Sequence, residues 1–311
     1  MLSRTAASLY WMGRYMERAE FTARLIEATL RLDALSARPA GKAAWESALQ
    51  VVDADCAFAG TERAADPQAV SGYLTLAADN PNSIRSCLDA ARNNAKSVRT
   101  ALTRDVWEAI NRAWLGLRGL ATTGGYEETL ALTAMIRAEA RGFEGGLQRM
   151  LRNEAYHFVG LGAAIERADN TARLIDVKYH LLLPEGEKVG GVIDRDQWTT
   201  ILQTVSANTA YRWLYRDGLK PWLVADMLIL RSELPRSLAG ATETVVGHLA
   251  EIAKRLARQG EADRLVRRRQ TTLSRTSIDA VFGQGLHEYL EAFLIENAEL
   301  DRAIGAQFRF A

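Results

Sequence analysis

GRYMERAEFTARLI, residues 13–26, returns 149 residues later in the same chain as GAAIERADNTARLI, residues 162–175. Nine of the fourteen positions are identical, and a tenth exchanges glutamate for aspartate. Repetition at a fixed distance is the signature of an architecture built from related units. The sequence therefore predicts one domain, residues 1–311, made of two internal repeats of approximately 1–150 and 151–311.

The first copy lies in a segment with the periodicity of a buried helix. Apolar or small residues recur at steps of three and four from Leu2 to Leu30, and a second stripe runs from Trp11 to Leu25. A helix that is apolar on two faces belongs inside a bundle. The alternating pattern of strands is absent. We therefore predict an all-α fold, a duplicated helical bundle whose halves are related by a pseudo-twofold axis.

Helix boundaries follow from proline, glycine and capping residues. The first helix should end near residues 35–39, and the second motif helix should begin near Asn153. The clearest break in the chain is the loop 184–191. Between these points we predict helices over 42–59, 67–78, 106–121 and 127–152, and one that opens within 79–83, with Pro81 in its first turn, and runs to about Thr103.

A shift of 154 residues extends the repeat beyond the motif. It superposes Pro67 on Pro221 and Ser83 on Ser237. The difference from the motif's shift of 149 fits a loop insertion.

Composition excludes several classes of function. The chain has 39 basic and 38 acidic residues and a net charge of +1, whereas binders of nucleic acid or anionic membranes normally show a basic excess. Its two cysteines, Cys56 and Cys87, suit a reducing compartment. No apolar run reaches the roughly 20 residues of a membrane span. We expect a cytoplasmic protein with neither nucleic acid nor membrane as partner.

The charged residues of the motif admit two interpretations. Within each helix, Arg24 has Glu20 and Arg173 has Asp169 at the favourable i,i+4 spacing. Glu17 and Glu166 have no basic residue one turn downstream, so they must find partners on other helices, bind water or meet a ligand. In the structural interpretation, Glu17 meets Arg167 and Glu166 meets Arg18, and the pairs fix the register of the halves. In the functional one, arginine grips a carboxylate or phosphate and glutamate acts as a base.

Both motif copies, together with Asn80-Pro81-Asn82-Ser83, resemble the bacterial alpha-E family, an all-helical group named for its Glu-Arg motif. The resemblance covers nearly the whole chain. Carried over residue by residue, it marks a central polar network or ligand site, with a secondary site in which Ser237 repeats Ser83 but Leu234 replaces Asn80. The central positions carried over are Glu17, Arg18, Glu166 and Arg167, and the secondary ones are Asn80, Pro81 and Ser83. We add the paired arginines Arg24 and Arg173 to the central set and the repeated Ser237 to the secondary one.

The resemblance also implies partners. Members of the family tend to be encoded beside, or fused to, a circularly permuted ATP-grasp protein, often with a transglutaminase-like protein close by. It therefore implies an accessory subunit of an ATP-grasp amide or peptide ligase that acts on a peptide or amino acid. ATP and Mg²⁺ would be bound by that partner, because no segment of this sequence cradles phosphates. Catalytic residues stay unknown.

Two alternatives remain open. The Glu-Arg cluster could perform acid-base chemistry on a peptide or amino acid, which would make the chain an enzyme. A carboxylate-bridged metal bundle is suggested by Glu154-x-x-His157, but a di-iron site needs a second such pair, which the sequence lacks. We expect no metal.

One aromatic stretch, residues 211–222, has the composition of a protein interface. An ordinary buried helix end would show the same composition. Its candidate docking residues are Tyr211, Arg212, Trp213, Tyr215 and Trp222.

Overall fold

The computed structural model describes residues 2–35, 38–180 and 191–310. Within these ranges the regular elements are helical and no strand occurs, which confirms the all-α class. The helices are α1 Ser3–Leu35, α2 Arg38–Val51, α3 Asp55–Ala59, α4 Pro67–Leu76, α5 Ile84–Ser97, a 3₁₀ turn Arg99–Ala101, α6 Arg104–Leu117, α7 Tyr126–Gln148, α8 Glu154–His180, α9 Val192–Thr204, α10 Asn208–Leu214, α11 Pro221–Leu230, α12 Leu238–Leu256, α13 Glu261–Arg275, α14 Ile278–Gln284 and α15 Leu286–Phe308.

Four of the predicted helices end earlier than expected, α4 at Leu76, α5 at Ser97, α6 at Leu117 and α7 at Gln148. The helix predicted over 42–59 is divided into α2 and α3, because Asp53 between them has a φ of 56°, which ends a right-handed helix. The helix predicted to open within 79–83 begins at Ile84, because Ser83 and not a residue before Pro81 is its cap, and it gives way to the 3₁₀ turn after Ser97. The predicted loop 184–191 lies, apart from Gly191, outside the described residues.

The same helix starts recur at the predicted shift of 154 residues. Pro67 and Pro221 each open a ten-residue helix, α4 and α11, at the first turn, where proline is tolerated. Ser83 caps α5 by accepting from the Ser86 amide at 3.1 Å, and Ser237 caps α12 by accepting from the Gly240 amide at 2.8 Å. Each such cap stabilises a helix by about 1 kcal/mol. The shared starts agree with a duplication, which stays a prediction.

The helices form two compact units. One contains the described residues up to Glu166 together with those from Phe308 onward, and the other runs from Arg167 to Gln307. In the first, α1 packs against α2, α4, α5 and α7, and α6 packs against α5 and α7. In the second, α11 packs against α9, α12, α13 and α14.

Inside the first unit, α1 and the beginning of α8 approach each other at the two glycines of the repeated motif. A Cβ atom added to Gly13 would lie 2.1 Å from the carbonyl oxygen of Val159, and one added to Gly162 would lie 2.0 Å from that of Tyr10. Tyr10 stands three residues before Gly13, and Val159 stands three before Gly162, so the two contacts are reciprocal. The helices meet backbone to backbone, which only glycine permits at these positions.

Large apolar side chains surround this crossing. The ring of Tyr10 lies 5.2 Å from that of Phe310, and the ring of Phe158 lies 4.9 Å from that of Phe308. The largest fully buried side chains of the first unit include Leu9, Tyr10, Met12, Phe21, Ile26, Trp45, Leu74, Ile84, Leu88 and Ile110.

None of the described helices combines the length and apolarity that a membrane crossing requires.

We expect Gly13→Ala to lower the free energy of unfolding by about 3 kcal/mol or more, because the new methyl group would overlap the backbone of α8 and force the helices apart. Chemical denaturation followed by circular dichroism measures this loss. Gly145→Ala is the matched control. Gly145 lies in α7 with nothing within 4 Å of the added Cβ, so alanine there should stabilise the helix by up to about 1 kcal/mol. Equal effects of both substitutions would contradict the close crossing.

Candidate functional site

Two arginines of α1 hold the glutamate of the second motif copy. Arg18 binds Glu166 through two parallel contacts, Nε to Oε1 at 2.5 Å and Nη2 to Oε2 at 3.0 Å. Arg14 donates from Nε to Glu166 Oε2 at 2.8 Å. The Arg18–Glu166 contact is the one that the structural interpretation of the motif expects. Two guanidinium groups thus converge on one carboxylate, one turn beyond the glycine crossing.

The carboxylate of Glu166 is almost completely removed from solvent. Burial by itself raises the pKa of such a carboxyl, but attraction to Arg18 and Arg14 and their hydrogen bonds outweigh it, and the pKa is lowered. Burial by itself lowers the pKa of Arg18, but the attraction to Glu166 and the hydrogen bonds with it together outweigh burial, and the pKa is raised. A carboxylate held ionised by two guanidiniums is a weak general base. This arrangement suits a structural ion pair better than acid-base chemistry by Glu166.

The network extends outward from Glu166 through side chains of α1. Arg18 Nη1 donates to Asn82 Oδ1 at 2.6 Å. The guanidinium of Arg14 lies 4.9 Å from the centre of the Trp11 ring, and that of Arg18 lies 5.9 Å from the Tyr15 ring. These stacking distances allow cation–π attraction. The rings of Trp11 and Tyr15 are therefore fixed against the same cations that hold Glu166.

Sequence reasoning missed Arg14 and Asn82 as members of the network. Arg14 stands one turn before Arg18 on the same face of α1, and this spacing was a signal that could have found it. Ala163 occupies the corresponding position of the second copy, so a search restricted to repeated residues passes over Arg14. In the same way, Arg236 corresponds to Asn82.

A buried thiol adjoins the network. Cys87 of α5 is fully buried, and its Sγ lies 3.7 Å from the carbonyl oxygen of Asn82. Burial raises the pKa of the Cys87 thiol to about 12, with Glu166 adding to the rise and Arg18 opposing it. The thiol therefore stays protonated at neutral pH and is a poor nucleophile.

The remaining motif residues differ in their surroundings. Glu17 is buried on α1. Arg24 pairs with Glu20 through its Nε at 2.9 Å, and Arg173 pairs with Asp169 at 2.8 Å, so both predicted i,i+4 pairs are present.

Arg167 is half-buried on α8. The proposed Glu17–Arg167 contact stays a prediction.

The secondary candidates have structural roles at helix starts. Asn80 is buried, donates from Nδ2 to the Tyr73 carbonyl at 3.2 Å, and accepts from the Asn82 amide at 2.9 Å. Ser83 and Ser237 are the caps described above. Asn80 thus shapes the turn that presents Asn82 to Arg18.

The aromatic stretch separates into buried and exposed members. Tyr211 is buried and Tyr215 is half-buried. Trp213 is 81% exposed and Trp222 is 49% exposed, and Arg212 is also exposed. The two tyrosines thus belong to the framework, and the two tryptophans to the surface.

Among the residues that the structure describes, no group of three or more His, Cys, Asp or Glu side chains is placed to hold a metal ion. The pair of Glu154 and His157 is therefore not completed into a metal site by other described residues. The metal alternative gains no geometric support.

The chain is all-helical in its described residues and carries the Glu-Arg motif twice, and the glutamate of the second copy is bound by arginines of the first. These features define the class of protein. Residues 1–308 match the family Alpha-E, described as a predicted alpha-helical domain with a conserved ER motif. The chain belongs to the Alpha-E family. Comparisons with curated proteins and with solved structures found no match.

The lowered pKa of Glu166 predicts a specific acid sensitivity. The unfolded chain regains the ordinary glutamate pKa of about 4.5, so it binds a proton more readily than the folded chain, and stability falls as the pH drops below that value. Glu166→Gln should be less stable than wild type by about 3–5 kcal/mol at pH 7, because the buried guanidinium of Arg14 and the half-buried one of Arg18 lose their charged partner. The difference between the two proteins should shrink below a pH of about 4.5.

Urea denaturation at a series of pH values measures this difference. The control is Glu299→Gln, at an exposed residue for which no ion pair appears in the described part of the chain. Its curve should run parallel to that of wild type. A Glu166→Gln deficit that stays constant through the acid range would contradict the lowered pKa.

Proposed function

We propose that this chain is a non-catalytic accessory subunit of a cytoplasmic ATP-grasp amide or peptide ligase. The observation that carries the proposal is a pair of exposed tryptophans, Trp213 and Trp222, held on an ordered segment. Together with Arg212, Leu214 and Arg216 they form what we call the docking patch. Large aromatic side chains of this kind dominate the binding energy of protein interfaces.

Hydrogen bonds to two tyrosines order the segment between α10 and α11. The hydroxyl of Tyr211 accepts from the amide of Lys220 at 3.0 Å and donates to the carbonyl of Gly218 at 3.3 Å. Residues 211 and 220 are thereby brought together, and each tryptophan stands two residues beyond one of them. A surface that is ordered before binding loses less conformational entropy on association.

A second group fixes the end of α10 against α11. The hydroxyl of Tyr215 donates to Asp226 Oδ2 at 2.5 Å, and Arg231 donates from Nε to the same oxygen at 2.7 Å. Burial and the contact with Asp226 raise the pKa of Tyr215, so it stays a hydrogen-bond donor. These hydrogen bonds hold the end of α10, which carries part of the docking patch, against α11.

The composition of the docking patch indicates the chemistry of its partner. Arg212 and Arg216 are exposed, and Leu214 adds apolar area to the two indole rings. A complementary surface would offer apolar pockets for the rings and carboxylates for the arginines. In this proposal the partner is the ATP-grasp protein implied by the family resemblance, which supplies ATP and Mg²⁺, and a transglutaminase-like protein acts in the same system.

The interior of the chain supports an accessory role over a catalytic one. Glu166 is enclosed and ionised between Arg14 and Arg18. Such a carboxylate stabilises the packing of α8 against α1. The acid-base alternative would need substrate to reach this carboxylate and would need a pKa closer to neutrality.

We expect the Trp213→Ala/Trp222→Ala variant to bind the ATP-grasp protein encoded beside this chain at least about 30-fold more weakly than wild type, because each lost hot-spot side chain costs about 1–2 kcal/mol or more. Biolayer interferometry with the full-length proteins, in the presence of ATP, Mg²⁺ and a peptide acceptor, measures the affinities. Circular dichroism of the variant checks that the helices are intact.

The control for this experiment is Ile295→Ala, which removes another exposed apolar side chain, 61% exposed on α15, and should leave binding unchanged. Failure of the wild-type proteins to associate would refute the accessory role. Product formation by this chain without the ATP-grasp protein, abolished in Glu166→Gln with the fold intact, would establish the enzymatic alternative instead.

A further inference from the structure

A cleft of about 470 Å³ opens between the first turns of α1 and the last turn of α5. Its volume lies in the range of small-molecule sites. Its lining combines aromatic rings, neutral polar groups and one cation. The residues on which the argument depends are Arg4, Ser8, Trp11, Tyr15, Asn94 and Ser97.

The aromatic side of the cleft belongs to the Glu-Arg network. The rings of Trp11 and Tyr15 lie 5.7 Å apart and are inclined by 31°. Arg14 and Arg18, which bind Glu166, place their guanidiniums 4.9 Å from the Trp11 ring and 5.9 Å from the Tyr15 ring. The aromatic part of the cleft is therefore in contact with the cations of the ion-pair network.

The charge of the residues that line the cleft favours a negatively charged ligand. Among the described residues that line the cleft, Arg4 is the single cation and none is acidic. In the described part of the chain, the guanidinium of Arg4 has neither an ion pair nor a hydrogen bond. It also lies in the first turn of α1, where the helix dipole favours an anion. One free guanidinium suits a carboxylate, whereas a polyphosphate requires several cations or a cradle of backbone amides.

The neutral groups suit an amide backbone. Asn94 offers both a donor and an acceptor. Ser97 Oγ donates to Ser8 Oγ at 3.2 Å, and each hydroxyl oxygen keeps a lone pair that can accept from a peptide N–H. The α5 helix ends here, so the partial negative charge of its carbonyls attracts peptide N–H groups. A cation, neutral hydrogen-bonding groups and aromatic rings that line one cleft together match a short peptide with a free carboxylate.

We infer that this cleft binds the C-terminal end of a short peptide, with the terminal carboxylate on Arg4 and an apolar side chain on the rings of Trp11 and Tyr15. The inference rests on the proposed function in one respect: the bound peptide is the substrate that this subunit presents to the ligase. ATP-grasp chemistry activates a carboxylate, so a subunit that grips the carboxylate end of a peptide holds the group to be activated or protects it until transfer.

The test uses the full chain alone and three probes: the tripeptide Ala-Ala-Phe, the same peptide with its C-terminus amidated, and ATP with Mg²⁺. Isothermal titration calorimetry measures each affinity. We expect saturable binding of the free acid, binding of the amide about tenfold weaker because the charge-assisted bond to Arg4 is lost, and no binding of ATP.

Arg4→Gln should weaken the free acid by about tenfold and leave the amide unchanged. Arg4 is exposed, so the variant keeps its fold. The matched control is Arg99→Gln, which removes an exposed arginine just after α5 that does not line the cleft, and it should bind the acid like wild type. Trp11→Leu should weaken both peptides, since it removes an aromatic surface that both probes use.

Equal affinity for acid and amide, equal effects of Arg4→Gln and Arg99→Gln, or binding of ATP in place of the peptide would overturn the inference. Absence of saturable binding by the free acid would overturn it as well. These outcomes are separable from failure of the accessory role, because peptide binding is measured without the ligase. The Trp213→Ala/Trp222→Ala variant should keep its affinity for Ala-Ala-Phe, and Arg4→Gln should keep its affinity for the ATP-grasp protein.

Discussion

The close approach of α1 and α8 at Gly13 and Gly162 is the constraint on which the first unit depends. Each glycine faces a backbone carbonyl of the other helix at a distance that no side chain could share. One turn further along, this proximity sets Arg14 and Arg18 against Glu166. The two glycines and the ion pair are thus parts of one helix–helix contact. The glycines let α1 and α8 approach closely, and the ion pair fixes their register.

The ion pair stabilises the packing of α1 against α8, and the contacts with other molecules are proposed at other places. Glu166 is enclosed, ionised and bound by both arginines, which leaves it little capacity for chemistry. The two proposed binding surfaces are the cleft beside Trp11 and the docking patch that contains Trp213. The rings of Trp11 and Tyr15 connect the ion pair to the cleft, since both rings line the cleft and each lies within cation–π distance of an arginine that binds Glu166.

Much of the framework could be predicted because it depends on local spacing. The i,i+4 pair of Glu20 and Arg24 and the cap by Ser237 follow from helical periodicity and hydrogen-bonding chemistry. The break at Asp53 could not be predicted in this way, because an aspartate with positive φ leaves no clear mark in the sequence. Arg14 was missed because only one copy of the repeat carries it, and the cleft because it depends on how α1 and α5 pack.

The most direct measurement of this account is a double-mutant cycle between Arg18 and Glu166. Unfolding free energies are compared for wild type, Arg18→Gln, Glu166→Gln and the double variant at neutral pH and low salt. If the crossing holds these two groups in a buried ion pair, the interaction energy should be at least about 1.5 kcal/mol. Effects that add to within about 0.5 kcal/mol would show that the two side chains act independently, and the central contact would be wrong.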